Sequence, residues 1–193
     1  MNFSDEDIQL MLRFQAGVES CFEQLVERHK NRVFYLAYRF LGSYQEAEDV
    51  AQEVFIKIYH ARNSYKPKAK FTTWLYIICK NTCLKELRKN KPNTVSLDDT
   101  FKLAEDDVTQ QIADPHTPSP LDSMLNDERA VVVKQAIDSL PDNQRIALIL
   151  SRFDQLSYEE SAKVMGCSMK AVKSLLHRAK INLKEKLADY FKK

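Results

Sequence analysis

Glycine, alternating strand patterns and long apolar runs are scarce in this sequence. Only three glycines occur among 193 residues, whereas apolar residues recur at helical spacing along most of the chain. No run is apolar over the roughly 20 residues that a membrane-spanning helix needs, and no secretory signal segment is recognisable. We therefore expect an all-α protein in the cytoplasm, with no direct membrane insertion.

The sequence also lacks the patterns of a catalytic or metal site. Its four cysteines, Cys21, Cys79, Cys83 and Cys167, do not have the paired CxxC spacing of structural zinc. No Gly-rich phosphate loop and no combination of nucleophile, base and oxyanion donor is present. We expect no catalytic residue, no metal and no cofactor. The thiols are expected to be buried as small apolar groups, although Cys79 and Cys83 share one helical face and a redox role stays open.

Charge is abundant but sorted by segment. The run 46–55 carries four carboxylates and no base, whereas 57–91 carries ten Lys or Arg residues and one acid, Glu86. Five aromatic residues lie among those bases: Tyr59, Tyr65, Phe71, Trp74 and Tyr76. A polyanion attracts the basic segment and repels the acidic one, and unpaired bases stack on aromatic rings. The pattern predicts a nucleic-acid-binding protein whose acidic segment has a different partner.

Capping signals and periodicity divide the chain into two helical blocks. Ser4 is expected to cap a first helix, and further helices are predicted at 19–41, 43–60, 72–89, 123–139, 143–153, 158–165 and 169–189. The segment 92–126 holds four of the six prolines and seven acids, which is typical of a flexible linker, with one short helix near 101–108. We predict an N-terminal helical bundle, 1–91, and a C-terminal helix-turn-helix domain, 127–193, with two small cores.

The second block contains the most specific local pattern. Ser157 with Glu160 predicts a capping box, Gly166 predicts a turn, and Ser168 caps the next helix. Two helices joined by such a turn form a helix-turn-helix, whose second helix fits the major groove of DNA. Its outward face carries groups that bind phosphate or guanine: Lys170, Lys173, Ser174 and His177, flanked by Arg178 and Lys180. A plain helical bundle with a solvated basic helix is the competing interpretation.

The acidic segment predicts a helix with an apolar stripe and a charged outer face. Asp49, Gln52 and Glu53 share that face, with Glu46 and Glu48 beside them. The solvated side of an ordinary amphipathic helix is the simplest interpretation. The sharp separation from the basic segment favours a contact with a basic protein surface instead.

The basic segment predicts a polar loop followed by a partly buried helix. Phe71 and Leu75 are expected in the core. The loop residues are expected to be exposed and to contact a DNA strand or phosphate: Tyr65, Lys66, Lys68 and Lys70.

Three segments resemble, in order, the diagnostic segments of bacterial RNA polymerase sigma factors of the extracytoplasmic-function (ECF) group of the sigma-70 family. They are EAEDVAQEVFIKIY, FTTWLYIICKN and LPDNQRIALILSRFDQLSYEESAKVMGCSMKAVKSLLHRAK. The resemblance implies a transcription initiation factor rather than an enzyme. Its implied partners are promoter DNA, core RNA polymerase (through the β′ clamp coiled coil and the β flap) and an anti-sigma factor, which could hold the protein at the inner membrane.

The same resemblance assigns roles to residues, with 1–91 corresponding to sigma region 2 and 127–193 to region 4. The residues assigned to docking on polymerase are Glu48, Asp49, Gln52, Glu53 and Phe55. Recognition and melting of the −10 element fall to Tyr65, Lys66, Lys68, Lys70, Trp74, Asn81, Lys85 and Arg88. Recognition of the −35 element falls to Ser168, Lys170, Lys173, Ser174, His177 and Arg178. The linker 92–126 would thread toward the active-site channel of the polymerase.

The chain departs from the family pattern at several positions. Lys170-Ala171-Val172-Lys173-Ser174-Leu175 stands where Gly-Thr-Val-Lys-Ser-Arg is common, Ile77 stands in place of an Arg, and Lys85 stands where Asp is frequent. The promoter sequence is therefore left open.

The residues alone also leave two other classes of protein open. A free-standing helix-turn-helix regulator leaves the acidic helix unexplained, and a nucleic-acid-processing enzyme lacks a visible site.

Overall fold

The computed structural model describes residues 5–90, 130–188 and 190, and their regular structure is helical. In chain order the N-terminal helices are α1 (Glu6–Gln15), α2 (Ser20–Leu41), α3 (Tyr44–His60) and, after a 3₁₀ turn at Arg62–Ser64, α4 (Phe71–Asn90). The C-terminal helices are α5, described over 130–138, α6 (Asp142–Leu148) with a π-helical turn at Ile149–Phe153, α7 (Tyr158–Met165) and α8 (Met169–Leu187). The predicted all-α fold with two helical regions is confirmed.

Some predictions fall on other parts of the chain. The linker 92–126, its short helix near 101–108 and the first turns of the helix predicted at 123–139 lie outside the described residues. None of the helices that the structure describes combines the length and the apolar character needed to cross a membrane.

Side chains and glycines start and end the N-terminal helices close to the predicted positions. Asp5, rather than Ser4, caps α1, because its carboxylate accepts a hydrogen bond from the backbone N–H of Asp7 at 3.1 Å. Ser43 caps α3 by accepting from the N–H of Glu46 at 3.4 Å. Gly42 ends α2 with a left-handed φ of 77°, which a residue with a Cβ adopts only at a steric cost.

The N-terminal helices pack around α2, which contacts α1, α3 and α4. The largest side chains fully buried between them are Met11, Phe14, Leu25, Leu36, Phe40, Ile58, Phe71 and Leu75. Phe22 and Val26, which the periodicity places in the core, are only partly buried. All four cysteines are free thiols. Burial is confirmed for Cys21, Cys79 and Cys83, whereas Cys167 is partly exposed.

Helices α7 and α8 form the predicted helix-turn-helix. In the capping box, Ser157 Oγ accepts from the N–H of Glu160 at 3.2 Å, and the Glu160 carboxylate accepts from the N–H of Ser157 at 3.1 Å. Gly166 makes the turn with φ 70°, and Ser168 Oγ accepts from the N–H of Ala171 at 3.2 Å. The buried face of α8 consists of Ala171, Val172, Leu175 and Ala179. It faces α6 and α7, which fixes α8 with its basic side outward.

The two helical regions share one core, which differs from the two separate cores expected from the sequence. Ile146, Ile149, Leu150 and Val164 belong to the same buried cluster as the N-terminal core residues. Helix α7 packs against α4, and the π-helical turn packs against α2. Periodicity identifies the apolar face of each helix but does not say which other helix covers it. The contact between the two regions was therefore not predictable from the pattern.

Candidate nucleic-acid interface

The outer face of α3 carries an acidic surface, defined here as Glu48, Asp49 and Gln52. All three residues are exposed. The opposite face of the helix is buried in the core through Ala47, Val50, Val54 and Ile58. Because packing holds α3 on its apolar side, the carboxylates are presented to solvent and can meet a basic partner.

Glu53, predicted to belong to the same surface, is engaged within the protein. Its Oε1 lies 2.9 Å from Lys57 Nζ and 3.6 Å from Lys85 Nζ. The hydrogen bond from Lys57 is the main cause of the lowered pKa of Glu53. Lys57 Nζ also donates to Thr82 Oγ1 at 2.8 Å. Glu53 therefore helps to join α3 to α4, and two cations offset the charge that it would offer to a partner.

One exposed apolar residue beside the acidic surface, Ile56, was not among the predicted polymerase contacts. Ile56 is 55% exposed and follows Gln52 by four residues, so the two side chains lie on the same face of α3. Phe55, which was predicted to contact polymerase, is only partly buried but packs against the core. Ile56 is thus the more accessible apolar contact, and its helical spacing from Gln52 was the signal that could have identified it.

The loop before α4 differs from the prediction at its aromatic residue. Three lysines are exposed as predicted: Lys66, Lys68 and Lys70. Tyr65 is only 6% exposed, and its ring centroid lies 4.8 Å from that of Trp74 and 6.5 Å from that of Phe71. Burial raises the pKa of Tyr65 to about 12. The expected exposure of Tyr65 is wrong, because packing between rings outweighs the polar sequence around it.

Tyr65→Phe tests this correction. The Tyr65 hydroxyl is buried and has no hydrogen-bond partner among the described residues. We expect Tyr65→Phe to keep the thermal unfolding midpoint and to leave affinity for single-stranded −10 DNA within about twofold. Trp74→Ala, which removes a partly exposed ring, should lower that affinity about fivefold or more. Fluorescence anisotropy with a labelled strand measures both, and an equal loss in the two variants would contradict the assignment.

A basic groove lies along the C-terminal half of α4. It has a volume of about 450 Å³ and is lined by Asn81, Leu84, Lys85, Arg88 and Lys89. Three of these residues were predicted to contact the −10 element: Asn81, Lys85 and Arg88. Their spacing of three and four residues places them on one face of the helix, so the structure brings them together as a candidate phosphate-binding surface.

Lys70 lies away from this groove, at the other end of α4. Its Nζ donates to Glu160 Oε1 in α7 at 2.7 Å. The hydrogen bond from Lys70 lowers the pKa of Glu160 to about 2, and the same contact raises the pKa of Lys70. The predicted −10 set is therefore split between an open groove and a contact with the C-terminal region.

Helix α8 presents the predicted −35 residues on its solvent side. The exposed or partly exposed residues there are Lys170, Lys173, Ser174, His177 and Arg178. Lys173 Nζ lies 6.0 Å from the ring centroid of Tyr158, so this cation is positioned at the start of α7. The hydroxyl of Ser168 caps α8 by accepting from the Ala171 N–H, a structural task besides any contact with DNA.

Sequence reasoning missed a polar contact between the two helical regions. Asp154 Oδ1 accepts from the Tyr76 hydroxyl at 3.3 Å and lies 3.6 Å from Arg39 Nη1. Burial raises the pKa of Asp154. Lys80 Nζ donates to the carbonyl of Val164 at 3.0 Å, and burial lowers the pKa of Lys80. Local patterns give no signal for these pairs, because the hydrogen-bonded partners are 78 and 84 positions apart.

Comparison with known proteins accounts for both regions. Family models match residues 25–92, as Sigma-70 region 2, and residues 130–183, as Sigma-70, region 4. The chain is 37% identical over 180 residues to the RNA polymerase sigma-H factor of Pseudomonas aeruginosa, with 91% of each chain covered. It is 33% identical over 178 residues to the ECF RNA polymerase sigma factor SigW of Bacillus subtilis, covering 91% of this chain and 93% of SigW. The chain belongs to the ECF group of the sigma-70 family.

Solved structures agree with this sigma-factor fold. CnrH, solved in complex with the cytosolic domain of CnrY, superposes with a TM-score of 0.69 at 23% identity, covering 96% of this chain and 99% of CnrH. The sigma factor RpoE of Bartonella quintana, solved with the anti-sigma factor NepR, gives a TM-score of 0.60 at 24% identity, covering 86% of this chain and 96% of RpoE. At these identities the likeness concerns the fold.

Membership of this family decides between the function classes that the residues left open. A sigma factor is a transcription initiation factor and not an enzyme, and the relatives cover both helical regions rather than the helix-turn-helix alone. The roles of individual residues and the domain boundaries at 91 and 127 remain predictions.

Within residues 5–90, 130–188 and 190, no group of three or more His, Cys, Asp or Glu side chains is placed to hold a metal ion.

Proposed function

We propose that this sigma factor binds core RNA polymerase through its N-terminal region and directs the enzyme to promoters with a −35 and a −10 element. The observation that carries the proposal is the separation of charge across adjacent helices. Exposed carboxylates lie on α3, a basic groove lies on α4, and a helix-turn-helix with an exposed basic side follows in the same chain. Such a molecule attracts DNA at two places and keeps a third surface for a basic protein.

The proposed docking site for the β′ clamp coiled coil is the acidic surface of α3 together with Ile56. Carboxylates around an exposed apolar side chain form a contact in which the charges orient the partner and the apolar group adds buried area. Phe55 and Glu53 lie beside this surface on α3. Phe55 packs against the core, and Glu53 pairs with Lys57 of α3 and with Lys85 of α4. The β flap is the proposed partner of the C-terminal region.

The −10 element is proposed to be opened and held along α4. Lys85 and Arg88 attract the backbone, Asn81 can hydrogen-bond a base edge, and Trp74 offers a partly exposed ring on which an unpaired base can stack. Lys66 and Lys68 extend the positive charge along the preceding loop. The sequence of the −10 element is left open by the departures at Ile77 and Lys85.

The −35 element is proposed to bind α8. A helix-turn-helix places its second helix in the major groove, where the first turns contact base edges. Lys170, Lys173 and Ser174 lie in those turns, and His177 and Arg178 follow one turn later. Cations there can hold phosphate or recognise guanine.

An anti-sigma factor is the proposed regulator of this protein. RpoE of Bartonella quintana, which has a similar fold, was solved with the anti-sigma factor NepR. An inhibitor that covers the acidic surface and the basic groove would block both proposed activities. We place the sigma factor in the cytoplasm, where a membrane-bound inhibitor could hold it at the inner membrane.

Transcription in vitro tests the proposal as a whole. Purified core polymerase with a library of promoter fragments should initiate at defined sites only when the protein is added, and the protein alone should not cleave or modify the DNA. Transcripts that are identical with and without the protein, while it co-elutes with core polymerase, would reject promoter direction. Absence of co-elution would reject polymerase binding.

A further inference from the structure

An aromatic patch lies on the surface where α2 meets α3, and it is defined here as Phe34, Tyr35, Tyr38 and Tyr44. The ring centroid of Phe34 lies 5.4 Å from that of Tyr35, 6.2 Å from that of Tyr38 and 4.9 Å from that of Tyr44. Tyr35 and Tyr44 are 54% and 62% exposed, and the value for Tyr44 is the highest among the large apolar and aromatic residues that the structure describes. Adjacent exposed rings of this kind mark an interaction surface rather than a scatter of single apolar residues.

The turn between the two helices assembles the patch. Gly42 ends α2 in the left-handed conformation and the next residue caps α3, so the chain reverses and brings Tyr44 against Phe34. Phe34 packs partly against the core, which anchors the patch. Neither Tyr35 nor Tyr44 is among the residues that pack against the core. Their exposed rings therefore have no role in holding the helices together.

The aromatic patch is continuous with the acidic surface of α3. Tyr44, Glu48, Gln52 and Ile56 follow one another at intervals of four residues, so they lie along one face of the helix. Side chains of an α-helix lean toward its N-terminus, and the Glu48 side chain accordingly leans toward the turn that carries Tyr44. An exposed ring and an exposed carboxylate are therefore neighbours at the start of α3.

A ring next to a carboxylate suits a cationic side chain. The face of an aromatic ring attracts a cation, and the carboxylate pairs with the same charge. Arginine fits better than lysine, because a planar guanidinium can stack on the ring and donate hydrogen bonds to the carboxylate at once. DNA is repelled by Glu48 and Asp49, and a purely apolar partner would bury their charges without compensation. The positive end of the α3 dipole opposes a cation, but Glu46 in the first turn offsets it.

We propose that Tyr44 and Glu48 together receive an arginine side chain of the β′ clamp coiled coil of core polymerase, and that Tyr35 covers the adjoining apolar part of the same contact. This inference rests on the proposed function, in which the acidic surface docks on core polymerase, and it adds the residue type that the surface selects. The docking site then extends from α3 across the turn to α2. Carboxylates alone accept any basic surface, whereas the ring of Tyr44 favours arginine.

The first test compares Tyr44→Leu with Tyr44→Phe in the full-length protein, with core polymerase as the probe. Tyr44→Leu keeps apolar area but removes the ring, and it should lower core affinity about tenfold. Tyr44→Phe keeps the ring and should bind within about twofold of the unchanged protein. Circular dichroism checks that both variants keep their helices. Equal affinities of the two variants would overturn the proposal, because a contact made through apolar area alone does not need the ring.

A double-mutant cycle tests whether the ring and the carboxylate hold the same side chain. Glu48→Gln should lower core affinity about fivefold on its own, and together with Tyr44→Leu the loss should be about fifteenfold rather than the fiftyfold product. Glu23→Gln is the matched control, because Glu23 is an exposed acid on α2 away from the patch. Combined with Tyr44→Leu it should leave the loss at about tenfold. A product of about fiftyfold with Glu48→Gln would overturn the shared site.

Photo-cross-linking identifies the partner. Benzoylphenylalanine introduced at position 35 keeps a ring there, and irradiation of the complex with core polymerase should join it to an arginine-containing peptide of the β′ clamp coiled coil. Cross-links only to other parts of the polymerase, or to a clamp peptide without arginine, would overturn the proposal. Failure of the unchanged protein to bind core polymerase would reject the proposed function itself. Binding that Tyr44→Leu leaves unchanged would reject only this inference.

Discussion

Changing Glu48 and Asp49 together to Lys should lower the affinity of the sigma factor for core polymerase about 100-fold or more. Both side chains are exposed on the outer face of α3, so the substitutions leave the core of the helix unchanged. At a polymerase surface that is basic, two attractive contacts become repulsive, and opposed like charges across an interface cost on the order of several kcal/mol. Titration of labelled core polymerase at one fixed salt concentration measures the effect.

The matched control reverses two acids on another exposed surface. Glu23→Lys with Glu27→Lys in α2 changes the net charge by the same amount, and both residues are exposed. The control should keep core affinity within about threefold, because general charge effects are screened by salt. Circular dichroism checks the fold of both proteins. An unchanged affinity for the Glu48 and Asp49 variant, or an equal loss in the control, would show that α3 does not dock on polymerase.

The structure guides the choice of these positions over Glu53. Glu53 contacts Lys57 and Lys85, so reversing its charge would disturb the packing of α3 on α4 as well as any contact with polymerase. A loss of binding in a Glu53 variant would have two explanations. Glu48 and Asp49 avoid that ambiguity.

Lys173→Ala should lower affinity for duplex −35 DNA about tenfold and make its salt dependence shallower. Lys173 is exposed on the second turn of α8, where a helix-turn-helix contacts DNA. Loss of one phosphate contact reduces the slope of log affinity against log salt by about 0.9, whereas loss of a base contact costs affinity mainly at the preferred sequence. Filter binding or anisotropy between low and moderate salt, with two promoter sequences, distinguishes these cases.

Lys186→Ala is the corresponding control for the helix-turn-helix. Lys186 is exposed in the last turn of the same helix, beyond the turns that enter a groove. Lys186→Ala removes one positive charge, as Lys173→Ala does, and we expect the affinity for duplex −35 DNA to change by less than about twofold. If Lys173→Ala behaves like Lys186→Ala in both affinity and salt slope, α8 does not recognise the −35 element through Lys173.

Helix boundaries were largely predictable because they depend on neighbours in the sequence. The capping box at Ser157 and Glu160 involves residues three apart, and Ser43 with Glu46 has the same spacing. Gly42 and Gly166 end their helices where a positive φ is needed. Each of these signals involves residues within about one turn of helix, so the local sequence is enough to recognise it. The helix-turn-helix follows directly from them.

The candidate site was predictable in its charges but not in its pairings. The exposure of Glu48 and Asp49 and of the loop lysines followed from polarity, whereas the burial of Tyr65 depends on the ring of Trp74. The pairing of Lys70 with Glu160 joins residues 90 positions apart. The packing of α7 on α4 decides which acid pairs with which base across that separation. A local sequence pattern carries no information about this packing.

The network around Glu53 has a consequence for where the DNA duplex opens. Lys57 binds both Glu53 of α3 and Thr82 of α4, so the proposed polymerase contact and the proposed strand-binding helix are parts of one rigid pair. A rigid pair keeps a constant distance between the polymerase surface and the first separated base. The distance from the polymerase surface to the first separated base would then be set by the dimensions of α3 and α4.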